Sequence, residues 1–282
     1  MKSSVFDAVT PGYFILSILL LLFIGSGFFF CSKSTVLIKG HSHNDYEHDH
    51  PLFDALAQGF TSIEADIHLV NGNLYVAHDK EDIDSNRTIQ TMYLEPLRHR
   101  IEKNGGYVYK NKTPVTLLVD IKSEADSTYL ALRDVLKQYI DLLTVYRNDE
   151  PIQGAVNVII SGNRSIEIMR REKYRYASYD GRLSDLDSKL PNTLVPLISD
   201  NWTKQFKWQG KGDFPQTEKI KLYNIVKKAH AGGRQVRFWA TDVDSLPYQK
   251  NLWNELLKAD VDVLNTDKLS ELRMFLKEFS GE

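Results

Sequence analysis

From Thr35 onward, short runs of β-branched and aliphatic residues alternate with longer stretches in which apolar residues return every three or four positions. The short runs cover 35–41, 61–67, 114–122, 155–162, 174–181, 193–200, 235–241 and 261–267, and each ends on polar residues. Such runs read as buried strands, and the stretches between them as helices, clearest over 125–146, 217–231 and 246–259. Gly232-Gly233 is expected to cap the second of these helices. Eight strand–helix alternations over about 230 residues predict a (β/α)8 TIM barrel. A doubly wound open sheet has the same alternation, but no glycine-rich phosphate loop follows the first strand.

The first 34 residues follow another pattern. Positions 8–32 carry no charge, and 14–30 are almost continuous Leu, Ile and Phe. That run can cross a bilayer core of about 30 Å and exceeds the roughly 7–15 apolar residues of a cleavable signal. Cleavage near Gly25-Ser26-Gly27 would leave Phe28-Phe29-Phe30 as the new terminus. The expectation is an uncleaved membrane anchor over 1–34 and a barrel domain over 35–282, with the barrel outside the cytoplasm. Secretion after cleavage is the alternative. Lys2 opposed by Asp7 at one end, and Lys33 and Lys39 at the other, give little orienting bias.

Composition narrows the partners. The net charge is −2 and no long basic block occurs, so nucleic acid is not an expected partner. Cys31 is the single cysteine, which excludes an internal disulfide.

The chemistry concentrates around Glu64 and Asp66. Two apart in the strand 61–67, they share one face while Ile63, Ala65 and Ile67 share the other. Two acids on the inner face of a buried strand call for a cation. Asp120 and Lys122 repeat the period-two arrangement in the strand 114–122, and Asp120 completes an oxygen-only set that suits magnesium or calcium better than zinc. His41 precedes the pair and His78 follows it, as metal-assisted acid–base chemistry on a phosphodiester requires. Lys122 is placed to meet a phosphate oxygen. Asn44 is placed to bind the phosphate or to orient a histidine. In a barrel, chemistry gathers at the C-terminal strand ends, which here also carry His43, Ser161, Asn163, Asp180, Asp200, Trp239, Thr241, Asn265 and Asp267.

These landmarks resemble the phosphatidylinositol phospholipase C-like phosphodiesterases, a superfamily that includes the glycerophosphodiester phosphodiesterases. Its pattern is a histidine after the first strand, an E-x-D pair after the second, a second histidine downstream and an acid after the third strand. His41, Glu64 with Asp66, His78 and Asp120 match it in order. Within the superfamily the chain is most similar to the altered-inheritance-of-mitochondria protein 6 family, through His41-Ser42-His43-Asn44-Asp45-Tyr46, Glu64-Ala65-Asp66 and Ser161-Gly162-Asn163. Phe238-Trp239 and Asn265-Thr266-Asp267 fall where late strands of such barrels carry an aromatic residue and an acid. The resemblance implies a TIM barrel and a divalent-metal phosphoric diester hydrolase acting on a small-molecule or lipid-derived diester. His41 and His78 would be base and acid, Glu64, Asp66 and Asp120 would hold Mg2+ or Ca2+, and Asn44, Lys122, Trp239 and His43 would contact substrate. Ser42 stands where the glycerophosphodiesterases carry arginine, so a glycerol substrate does not follow.

Competing readings attach to particular residues. His-x-His after a first strand also opens zinc amidohydrolases, but their later histidines are lacking, since His99 and His230 fall in predicted helices. A barrel that binds phosphate or membrane without turnover is a further alternative, although all five motif residues are present. His48 and His50 read as exposed loop residues, and His68 as a rim residue in phase with Glu64 and Asp66. The segment 200–211 reads as a loop on the catalytic face. Its Trp202, Phe206 and Trp208 would meet lipid or a choline head, or else pack into the barrel mouth.

Overall fold

The computed structural model describes Met1 and residues 35–281, so the expected anchor at 2–34 lies outside the described residues. Among the described residues no helix is long and apolar enough to cross a membrane.

Eight parallel strands form the barrel. They are β1 (Leu37–Ser42), β2 (Phe60–Val70), β3 (Val115–Ile121), β4 (Val156–Gly162), β5 (Ser178–Gly181), β6 (Leu197–Asn201), β7 (Gln235–Trp239) and β8 (Val263–Thr266). Each pairs with the next, and β1 pairs with both β2 and β8, which closes the ring. Closure removes the open-sheet alternative. An antiparallel strand, Asn73–Val76, extends β2 and returns the chain to the mouth at His78.

The alternation within each strand builds two cores. On β3, Val115, Leu117, Val119 and Ile121 join the layer between barrel and helices, together with Ile63, Ala65 and Ile67 of β2. The opposite parity points inward, where Leu118, Ile159, Leu197 and Val263 pack as a small apolar plug. Above this plug the inward positions become polar, and that change of composition creates the site. The longer outer helices are α1 (Phe53–Gln58), α2 (Glu95–Lys103), α3 (Ala125–Leu136), α4 (Gln216–Ala231), α5 (Leu246–Lys258) and α6 (Leu269–Ser280). Gly232 caps α4 as expected, its N–H bonding back to Lys228 and Ala229, and Gly233 follows at φ +67.

Two expectations need correction, and one open alternative closes. The helix expected over 125–146 stops at Leu136, and Tyr146 lies instead in a strand, Val145–Arg147, paired with Glu150–Ile152. Asn148 and Asp149 between them both have positive φ, the signature of a two-residue hairpin turn. The run 174–181 is two pieces, with Tyr174–Arg175 joining this small sheet and Ser178–Gly181 the barrel. In 200–211 the aromatic rings point into the core: Trp202, Phe206 and Trp208 are buried, Trp202 stacks on Phe206 with centroids 4.1 Å apart, and Trp208 stacks on Phe214 at 4.5 Å. The indole N–H of Trp202 donates to the Trp208 carbonyl oxygen, which satisfies its one polar atom inside. These rings are packing residues and are not available to a headgroup.

Candidate active site

Register places the acids. Asp66 of β2 stands opposite Asp120 of β3, and Glu64 lies two residues deeper on the same face as Asp66. One oxygen of each of Glu64, Asp66 and Asp120 lies within 4.8 Å of the others, and no histidine belongs to this group among the described residues. Lys122 bridges the outer two, with Nζ 3.0 Å from Asp66 Oδ2 and 3.2 Å from Asp120 Oδ1. Burial, opposed by Lys122 and reinforced by the charges of Glu64 and Asp66, pushes the Asp120 carboxyl up to about 6.

Glu64 is deeper and differently partnered. Its Oε2 is 2.9 Å from His41 Nε2 and 3.1 Å from Arg237 Nη1. Burial works against the charge of Glu64, but Arg237 and the His41 hydrogen bond outweigh it and hold the carboxyl well below the usual range. His41 is fully buried, and burial together with the Arg237 charge lowers its pKa to about 4, so the ring is neutral at pH 7 and the ion pair belongs to Glu64 and Arg237. Its Nδ1 lies 2.7 Å from the Ser62 hydroxyl, which can donate or accept and so satisfies either tautomer.

His78 occupies the other edge of the acid group. Its Nδ1 donates to Asp66 Oδ2 at 2.9 Å, and the Tyr46 hydroxyl donates to the same oxygen at 2.7 Å. The ring is half exposed and lines a cavity of about 430 Å3 with Tyr46, His48 and Arg87, which leaves Nε2 as the nitrogen available to a ligand. Asn44 sits in the left-handed region at φ 44, its Oδ1 3.1 Å from the Tyr46 hydroxyl oxygen. His68 is buried beneath this edge, its Nε2 donating to the His78 carbonyl oxygen at 3.1 Å, which corrects the rim placement. His48 is half-buried, its Nε2 enclosed without a partner, so it is not a simple loop residue.

Two candidates lie apart from the acid group. His43 turns toward β8, with Nδ1 2.7 Å from Asp267 Oδ1, so His41 and His43 do not converge on a common ion as a zinc His-x-His pair would. Trp239 is half-buried on the β7 side, with the Arg182 guanidinium 5.4 Å from its ring centre. Arg237 and Tyr46 are the members that sequence reasoning missed. Arg237 shares parity with Trp239 in Gln235-Val236-Arg237-Phe238-Trp239, so the period of two already pointed it inward.

The residues present fit a hard divalent cation. Ligand distances of about 2.1–2.6 Å place oxygens on opposite sides of an ion up to roughly 4–5 Å apart, in keeping with the spacing here. Asp66 Oδ1 is buried without any donor, and a carboxylate oxygen in that state is costly unless a cation meets it. Among the described residues, the only Lys or Arg paired with the three carboxylates are Lys122 and Arg237, which leaves a deficit of positive charge.

A closed parallel barrel with an acid triad and a histidine at its C-terminal mouth defines a TIM barrel of the phosphodiesterase-like class. The chain belongs to the family described as the AIM6-like phosphodiesterase domain, whose model matches residues 31–180. It is 26% identical to an altered inheritance of mitochondria protein 6 homolog from Arthroderma benhamiae, over 85% of this chain and 84% of the relative. To the altered inheritance of mitochondria protein 6 of Eremothecium gossypii it is 29% identical, over 85% and 70%. A crystal structure of a glycerophosphoryl diester phosphodiesterase from Parabacteroides distasonis superposes with a TM-score of 0.51 at 9% identity, covering 86% of this chain and 87% of that one, a likeness of fold.

Proposed function

We propose that this protein is a divalent-cation-dependent phosphoric diester hydrolase acting on a lipid-derived diester, with Mg2+ or Ca2+ held by Glu64, Asp66 and Asp120. The observation that carries the reading is the convergence of three carboxylate oxygens beside a histidine whose inner nitrogen is fixed on one of those carboxylates. A bound cation would supply charge neutralisation to the phosphate oxygens.

The remaining steps belong to the chain. Asp66 and Tyr46 fix the His78 ring so that Nε2 faces the cleft, where it donates a proton to the departing alkoxide. His41, neutral at pH 7, is the candidate to take the proton of the attacking group on the inner side, which requires its Nε2 to exchange Glu64 and Arg237 for that group. Water attacks phosphorus, the bond to the alkoxide breaks, and monoester and alcohol leave. A substrate hydroxyl in place of water would give a cyclic phosphate, which phosphorus NMR of the products distinguishes. Lys122 neutralises the Asp66 and Asp120 edge and lies within reach of a phosphate oxygen. From the sequence alone we also propose membrane anchorage through residues 1–34, with the barrel outside the cytoplasm.

The test is hydrolysis of bis-(p-nitrophenyl) phosphate and glycerophosphodiesters by the full chain, with Mg2+, with Ca2+ and with chelator. Activity should need the cation, and His78→Ala should lose about 10²–10⁴ in kcat. Cation-independent turnover, or full activity in a Glu64→Gln/Asp66→Asn double variant, overturns the proposal.

A further inference from the structure

Beside the acids, the ends of β4 and β5 carry two arginines and one saturated carboxylate. Asp180 is fully buried. Its Oδ2 accepts from Ser161 at 2.8 Å and from Arg182 Nη1 at 2.7 Å, and its Oδ1 accepts from Ser199. Arg182 is thus anchored by Nη1, which also meets the Gly181 carbonyl oxygen at 3.0 Å, while Nη2 makes only a long 3.4 Å contact to Ser161. Among the described residues, Asp180 is the one carboxylate that pairs with Arg182, through Nη1, so the Nε and Nη2 edge of this fork makes no ion pair. Its side chain remains 21% exposed and lies over the Trp239 ring.

Arg164 has no counter-ion of its own. It donates to the Asp180 backbone oxygen and lies over the Tyr179 ring at 4.7 Å, and among the described residues no carboxylate forms an ion pair with it. Burial and the neighbouring Arg182 charge lower its pKa, as expected of two guanidinium groups held together. Planar guanidinium forks held on aromatic faces are pre-organised for oxyanions, because their donors match two oxygens at once. The position relative to the acids is fixed by register, since Ser161, which touches Arg182, stands opposite Asp120.

We propose that Arg164 and Arg182 form a subsite for a second anionic group on the substrate, so that the preferred diester carries a further phosphate or carboxylate on one of its alcohol arms. The inference rests on the phosphodiesterase reading and narrows its substrate class. An aryl diester with no second charge would leave Arg164 without a counter-ion and Arg182 held only by Asp180 through Nη1. A diester ending in an oxyanion would supply the missing counter-charge while its central phosphate lies over the acids.

Two measurements on the full chain test this. The first compares kcat/KM for bis-(p-nitrophenyl) phosphate with that for p-nitrophenyl diesters whose second arm ends in phosphate or in carboxylate. Preference for an anionic arm by roughly tenfold or more, reduced at least fivefold in Arg164→Gln and partly kept in Arg164→Lys and Arg182→Lys, is the expected result. The arm preferred identifies the oxyanion. The second measurement is calorimetric binding of propane-1,3-diyl bisphosphate and of inorganic phosphate, with Mg2+ present. The bisphosphate should bind more tightly than phosphate, and Arg164→Gln should remove the difference. This arm needs no turnover, so it stands even where hydrolysis fails. Equal kcat/KM for charged and uncharged arms, or bisphosphate binding unchanged in Arg164→Gln and in Arg182→Gln, overturns the subsite.

Discussion

A methyl group on Gly162 would clash with Asp120 Oδ1 and with the backbone of Ile121. Gly162 also has φ +67, a conformation that side-chain-bearing residues adopt at a cost of about 1 kcal/mol or more. The glycine at the end of β4 therefore makes room for an acid at the end of β3. Gly162→Ala should displace Asp120, weaken cation binding at least tenfold and lower the melting temperature by several degrees. Calorimetric titration with Mg2+ or Ca2+ checks the first effect, and unaltered affinity would show that the acid moves aside freely.

Cation binding should also register as stability. A ligand at a hundred times its Kd stabilises by about 2.7 kcal/mol, roughly 5–10 °C for a domain of this size. Thermal scans should rise by that order on adding Mg2+ or Ca2+ and fall again with chelator. Asp120→Asn should shrink the rise to a degree or two. A melting temperature indifferent to both ions would argue against a cation held by Glu64, Asp66 and Asp120.

His43 and Asp267 set a pH window. Burial disfavours the charged histidine, but the Asp267 hydrogen bond outweighs it and raises the His43 pKa. Burial likewise opposes the Asp267 charge, and His43 outweighs it and lowers that pKa. The histidine contribution is fully present below about 6.5 and is lost as pH rises through the raised folded value. The aspartate contribution is present above about 3.9 and is lost as pH falls through the depressed one. Because Asp267 is half exposed, the pair is expected to contribute no more than about 1 kcal/mol. His43→Gln should flatten the alkaline limb of the stability profile measured by urea unfolding, and an unchanged limb would assign that slope to other groups.

Trp202 and Phe206 should behave as core residues. Trp202→Ala is expected to cost about 3–5 kcal/mol, with parallel losses on a small aryl diester and on a lipid-like diester at equal folded fraction. A selective rise in KM for the lipid-like substrate, at an unchanged melting temperature, would return these rings to the binding surface.

The barrel was legible because each strand announces itself twice, by β-branched residues along its length and polar residues at its end. The eight predicted runs fall on the eight strands, with ends displaced by a few residues. The hairpin at Asn148-Asp149 is hidden because Tyr139, Leu142 and Leu143 are spaced as a helix would space them, yet they reach the core from a short 3-10 helix, a turn and an isolated bridge to Val156. The acid triad was legible from parity, since Glu64, Asp66 and Asp120 sit at alternate positions of neighbouring strands. Arg237 obeys the same parity but lies within a strand, away from the strand ends where barrel chemistry is expected. The aromatic segment 200–211 was ambiguous because composition gives the kind of surface a side chain can cover and leaves its direction open.

Arg237 and His41 are 196 positions apart, yet their side chains lie 2.9 Å from one another around Glu64. Glu64, Asp66 and Asp120 all come from β2 and β3, while the guanidinium that keeps Glu64 ionised arrives only with β7. A chain leaving the ribosome thus carries its acids long before their deepest counter-charge. Until the seventh strand docks, Glu64 lacks the guanidinium that opposes its burial, and His41 lacks, besides burial, the charge that lowers its pKa. The deepest acid of the site thus acquires its electrostatic setting only with the barrel's closing strands, and a chain truncated before Arg237 would hold Glu64 without its cation.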